Sequence, residues 1–236
     1  REFCNLSEVV IRKDDTLKTL KEKVKLATIL GTWQSTLTNF RYLSSEWKKN
    51  CEEERLLGVS LTGVMDNDLT NGNFGKEKLI EALKELRQVA IETNKVWAKK
   101  FKINESAAIT CVKPSGTVSQ LVDASSGIHA RHANYYIRTV RADVKDPLCV
   151  FMKEKGFPCE PDITKPEHTM IFSFPMKSPK TSIFRNDKNA IEQLEHWLLY
   201  QRYWCEHKPS VTISVKEHEW MEVGAWVYYH FNEVSG

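Results

Sequence analysis

The residues with the clearest chemical potential in this chain are gathered in Lys113-Pro114-Ser115-Gly116-Thr117-Val118-Ser119. The apolar run Ala107–Val112 before them reads as a short buried strand, and a helix is expected from about Thr117. A strand-to-helix turn of this kind can cradle an anion. The first N–H groups of a helix lack intrahelical partners and the helix dipole adds partial positive charge, so a phosphate fits there without a metal. Gly116 leaves room for close approach, while Ser115, Thr117 and Ser119 add hydroxyl donors. The same residue types also suit a plain capped turn, and composition alone does not choose between the two.

The six cysteines are Cys4, Cys51, Cys111, Cys149, Cys159 and Cys205, with no CxxC pair among them. That spacing indicates neither a zinc site nor a thioredoxin-like motif. By residue type each reads as a small buried hydrophobe, although Cys111 immediately precedes the turn and could face the same space. His129 and His132 lie three apart with no third ligand nearby, and catalytic zinc takes three protein ligands, so no metal is expected. Arg131 between them has the planar, permanent charge that suits phosphate or cofactor contacts. Met65–Gly75 is rich in Asn, Asp and Gly and reads as a surface loop; it lacks the terminal bidentate Glu of a calcium loop.

The elements that must position these residues follow from periodicity. Strands are expected within Glu2–Ile11, Leu56–Leu61, Ala107–Val112, Tyr136–Val140, Thr169–Phe174 and Val211–Val215. Helices are expected over Leu17–Leu37, Lys76–Phe101, Pro147–Lys155, Asn189–Glu206 and Glu217–Phe231. The first should be capped by Asp15 or Thr16 and bury one face through Leu17, Leu20, Val24, Ala27, Leu30 and Gln34. Trp47–Glu54 is polar and reads as loop. This alternation predicts an α/β fold with parallel strands and helical crossovers, and no linker or repeat marks a second domain. Pattern alone does not separate a closed barrel from an open sheet.

Composition bounds the function. The 236 residues are 41% hydrophobic and 28% charged, as in a globular protein with one sizeable core. A net charge of +3 is too small to indicate nucleic-acid or membrane-surface binding, and no apolar run approaches the roughly 18 residues of a membrane span. Scattered cysteines without a leader-like start lead us to expect a reducing, cytoplasmic setting.

Five pieces, in order, resemble the catalytic subunit of ribonucleotide reductase, in particular its adenosylcobalamin-dependent class II. They are Cys4-Asn5-Leu6-Ser7-Glu8-Val9, Arg55-Leu56-Leu57-Gly58-Val59-Ser60-Leu61-Thr62-Gly63, Lys113–Ser119, Ser125-Ser126-Gly127-Ile128-His129 and Pro209-Ser210-Val211-Thr212-Ile213. The resemblance implies a ten-stranded α/β barrel of the ribonucleotide reductase and glycyl-radical type, of which residues 1–236 would be a single piece from the second half, truncated at both ends. It implies that Cys4 is one of two cysteines that reduce the substrate and become a disulfide, its partner lying on an earlier strand. It implies that Pro114, Ser115, Gly116, Thr117, Val118 and Ser119 grip the phosphates of a ribonucleotide substrate. Adenosylcobalamin would start the radical chemistry, and a thioredoxin- or glutaredoxin-type protein would return the electrons.

The family's finger-loop motif, Asn-x-Cys-x-Glu, carries the thiyl radical and should lie just before Arg1. It is absent here, as are the family's C-terminal tail cysteines, so the chain alone is expected to be inactive. A class I large subunit and a non-catalytic nucleotide-binding piece are the alternative readings. The stretch Ser125–Arg131 looks more like class II.

Overall fold

The computed structural model describes residues Arg1–Val234, so the truncation expected at Gly236 lies outside the described residues. The chain forms two compact units, one of residues 1–131 with the chain from 181 onward, the other of residues 132–180.

The larger unit is built on three parallel strands in the order β1-β2-β3. These are β1 (Asn5–Val10), β2 (Leu57–Thr62) and β3 (Thr110–Cys111). Helix α1 (Leu17–Gln34) follows β1, and α3 (Lys76–Phe101) joins β2 to β3. Thr16 caps α1 in a reciprocal box with Thr19, which satisfies two otherwise orphaned backbone donors. Leu57, Val59 and Leu61 of β2 point at these helices and join Val9, Leu20, Val24, Leu79, Leu83 and Leu86 in one core. Each such burial contributes roughly 1.5–3 kcal/mol. A buried Asn94 on α3 donates to Thr32 of α1 and to Ser106, tying the two helices together.

The periodicity of α1 was only half legible. Leu30 and Gln34, expected on its buried face, are exposed, and Thr28, Gly31 and Thr32 are buried instead. The threonine hydroxyls turn back to the helix's own carbonyls, Thr28 to Val24 and Thr32 to Thr28, so polar residues pack without a polar cost. Residues 47–54, expected as loop, lie in helix α2 (Ser45–Glu54). Only Cys51 of that helix is buried, so it carries no apolar stripe for a periodicity argument to find.

After β3 the chain turns into α4 (Val118–Leu121), a single turn rather than the longer helix expected from Thr117. Downstream of the smaller unit come α6 (Ala190–Tyr203), capped by Asn189 and Glu192, and α7 (Trp220–Tyr229). Residues 211–215 are not a strand. The segment that precedes them meets the sheet through one bridge, Val112 to Pro209, and proline has no N–H with which to extend a ladder.

The smaller unit is an antiparallel sheet ordered β4-β6-β5, formed by β4 (Tyr135–Asp143), β5 (Cys159–Pro161) and β6 (Thr169–Lys177). Helix α5 (Pro147–Glu154) is capped by Asp146. The unit's buried apolar residues, Cys149 of α5 with Met170 and Phe172 of β6, form a core of their own. The expectation of parallel strands throughout therefore fails here, because β4 and β6 pair antiparallel along nine residues despite the intervening helix. Nor do the described strands close into a barrel: the parallel sheet is open and three-stranded. Among the described residues no helix is long and apolar enough to cross a membrane.

Candidate functional site

Successive side chains of a strand face opposite sides, so register decides which residues share a surface. In the parallel sheet Leu6 is opposite Gly58, Glu8 is opposite Ser60, and Ser60 is opposite Cys111. The face turned away from α1 and α3 therefore carries Cys4, Leu6 and Glu8 along the first strand, Gly58 and Ser60 along the second, and Cys111 then Lys113 along the third. Most apolar side chains of the strands go to the helices, and apart from Leu6 this face is left to small and polar groups.

Gly58 is required by crowding at this surface. A Cβ there would lie 2.4 Å from Leu6 Cδ2, 3.0 Å from Cys4 Sγ and 3.4 Å from Cys111 Sγ. The two thiols thus approach one point from opposite sides. Cys111, whose orientation was open in the sequence, faces the same space as Cys4. Burial pushes its thiol up to about 12, with Lys113 opposing, so it is a neutral thiol at physiological pH. Burial also raises Cys4, and there Lys113 pulls down while Glu2 pushes up. All six cysteines are free.

Above this surface opens a cleft of about 430 Å³, lined by Leu6, Ser7, Glu8, Ser60 and Lys113 through Val118. It is of the size expected for a small-molecule site. The turn that forms its rim is held from below. The Lys113 N–H donates to Ser60 Oγ at 2.9 Å, and the Ser119 hydroxyl donates to the Ser115 carbonyl. Ser119 is fully buried and sits behind the cleft, whereas Pro114, Ser115, Gly116, Thr117 and Val118 line it.

Ser115 is only 3% exposed, yet among the described residues its hydroxyl has no hydrogen-bond partner. It is close enough to Glu8 to lower that carboxyl's pKa without completing a hydrogen bond, while burial, the larger influence, raises it. Among the described residues the backbone N–H groups of Ser115, Gly116 and Thr117 likewise meet no acceptor. These donors, more than a dipole, make the turn receptive to an anion, since α4 has only four residues to sum. A Cβ on Gly116 would meet nothing within 4 Å, and its φ is not positive, so the turn itself does not need glycine.

The following segment braces this rim. Gly127 has a φ of 54° and packs against the Lys113 carbonyl, where its absent Cβ would lie 3.2 Å from that oxygen. Its N–H donates to Thr62 Oγ1, and the Ser125 N–H donates to Asp66 Oδ2. Arg131 is not available to a ligand in the way its chemistry suggested: its guanidinium is buried, bonded to Asp66 at 2.9 Å and to Asp123 at 2.9 Å. His129 is equally committed, with Nδ1 against the Ser126 carbonyl and Nε2 accepting from the Thr212 N–H. Sequence reading missed Gly58, Ser60, Glu8 and Asp66. Period-2 alternation could have grouped the first three, but only with the strand register known.

No family model matches the chain. Curated relatives do. The chain is 29% identical, over 92% of its length, to an adenosylcobalamin-dependent ribonucleoside-triphosphate reductase of Lactobacillus gasseri, of which it covers 32%. It is 29% identical, over 90% of its length, to the enzyme of that name from Euglena gracilis, covering 28% of it. Among solved structures, a B-12 dependent (class II) ribonucleotide reductase superposes with a TM-score of 0.80 at 23% identity, over 97% of this chain and 35% of that one. The class Id ribonucleotide reductase alpha subunit of Actinobacillus ureae superposes with a TM-score of 0.61 at 13% identity, over 96% of this chain and 47% of that one. The chain thus spans about a third of the length of the curated relatives it matches.

Proposed function

We propose, for a chain that is related to the catalytic subunit of class II ribonucleotide reductases, that it supplies the phosphate grip and one reducing cysteine of such an enzyme. The whole protein would convert a ribonucleotide to a 2′-deoxyribonucleotide by thiyl-radical chemistry. The observation that carries this reading is the cleft itself. Its rim offers the unpartnered Ser115 hydroxyl and three unpaired backbone amides, and its floor belongs to the same sheet face as Cys4. A nucleotide held by its phosphates at residues 114–118 would reach across that face. Ser119 contributes by fixing the Ser115 carbonyl, which sets the curvature of the turn.

The cleft-side face, away from α1 and α3, also supports placing the sheet in the second half of a ten-stranded barrel. Parallel sheets are normally covered on both sides, and here helices cover one. Residues 1–236 would then be one piece of that barrel domain. Within the reaction Cys4 would give up its hydrogen and join a second cysteine as a disulfide, with a thioredoxin- or glutaredoxin-type dithiol restoring both thiols. Such a reductant and a ribonucleotide substrate would suit a cytoplasmic setting.

Adenosylcobalamin, when bound, would supply the initiating radical. The cleft described here does not fit that group: at about 430 Å³ it is too small for a corrinoid. The cleft's own part would be to bind substrate beside the thiols of the same sheet face.

The test is nucleotide binding by the 236-residue chain, measured by calorimetry with a ribonucleotide and its nucleoside. The nucleotide should bind at least tenfold more tightly, and should slow alkylation of Cys4. Equal affinities for both would remove the phosphate grip.

A further inference from the structure

Lys113 is the cation of the cleft floor, and its role is unclaimed by the phosphate turn that follows it. Its backbone is anchored to Ser60, but its ammonium makes no ion pair or hydrogen bond among the described residues. By strand alternation it follows Cys111 on the face where Cys4 Sγ and Cys111 Sγ converge on Gly58. We propose that Lys113 is a positioning residue for the thiol chemistry of this face, its ammonium serving as the counter-charge of Cys4 whenever that sulfur carries negative charge.

This deepens the reductase reading and rests on it for the step concerned. When an external dithiol regenerates the site, its thiolate attacks the sulfur bonded to Cys4. A new S–S bond forms, the old one breaks, and Cys4 leaves as a thiolate that then takes up a proton. A leaving thiolate departs faster the lower its pKa. In this half-buried place desolvation works against the charge, and the groups that face Cys4 divide as follows. Lys113 at the end of the third strand favours the thiolate, Glu2 on the same N-terminal segment opposes it, and Cys111 and Glu8 flank the floor. The second strand contributes only the uncharged Gly58 and Ser60. Lys113 thus acts on both thiols.

The experiment needs no nucleotide, so it stands apart from any failure of the phosphate grip. In the 236-residue chain, iodoacetamide labelling of Cys4 would be followed by mass spectrometry from pH 6 to 10, alongside circular dichroism. Lys113→Met should move the labelling curve to higher pH and slow labelling about threefold at pH 8. Lys113→Arg should restore the parent curve, and salt near 1 M should narrow the gap between Met and Lys. A folded Lys113→Met chain whose curve overlays the parent's would overturn the proposal, as would an Arg variant as slow as the Met one. Should Lys113→Met unfold, the parent decides by itself: a labelling curve unmoved by salt would count against a charge effect.

Discussion

The two faces of the parallel sheet are made by the same three strands and obey opposite rules. Toward α1 and α3 go Val9, Leu57, Val59 and Leu61, all at 2% exposure or less, in a core that tolerates no ligand. Toward the cleft go Glu8, Gly58, Ser60 and Cys111, a carboxylate, an absent side chain, a hydroxyl and a thiol, the first three each adjacent in sequence to one of those apolar groups. The difference teaches that stability and chemistry are interleaved along each strand at the spacing of a single residue. A change of one position should therefore strike one property and spare its neighbour.

The strongest break of this kind is Cys4→Ser in the full-length protein, assayed for the proposed reduction. It should abolish repeated turnover with a dithiol reductant and leave nucleotide affinity and thermal stability unchanged, because the sulfur lies on the cleft face. Multiple turnovers at the parent's rate would make Cys4 an ordinary packed thiol.

The helix-side counterpart is Leu61→Ala. It leaves a void in a fully packed core and should lower unfolding free energy by about 3 kcal/mol in denaturant titrations. Labelling of Cys4 in the folded state should not change. If labelling changed as much as stability fell, the two faces would not be independent.

At the rim, Gly116→Val projects a side chain into open cleft without backbone strain, so the melting temperature should hold. Nucleotide affinity should drop about tenfold or more, the loss of at least one hydrogen bond to a charged group. Thr117→Ala removes a hydroxyl but keeps the amides, and its defect should be smaller. Calorimetry on both variants ranks them; the reverse order would mean that side-chain hydroxyls, rather than backbone amides, hold the phosphate.

A subtler effect belongs to the core alone. His196 on α6 is 6% exposed with Nε2 unpartnered, and burial, helped by Lys188, lowers its pKa to about 3. Between that value and the unfolded pKa near 6.5 the unfolded chain binds the extra proton, so stability is present above about pH 6.5 and is lost as pH falls. The loss should approach about 1.4 kcal/mol per pH unit. His196→Gln should flatten this slope in urea titrations at pH 4.5 and 7, while Cys4 labelling at pH 8 stays the same.

By itself the sequence determined the long helix Lys76–Phe101, found over the same residues, and the first two strands to within a few residues, because apolar periodicity is a local property. It also marked the turn at Lys113–Ser119 and the motif at Cys4, whose residue types are distinctive in one dimension. Only the tertiary structure decided that Cys4 and Cys111 meet over Gly58, that Glu8 and Ser60 stand abreast, and that Arg131 is spent on Asp66 and Asp123. It likewise decided that residues 132–180 form an antiparallel unit and that 211–215 stay out of the sheet. The reason is the same in each case. Strand register, and the choice of partner for a buried charge, are set largely by contacts between segments tens of residues apart, and no window of the chain short enough to show periodicity contains both sides of such a contact.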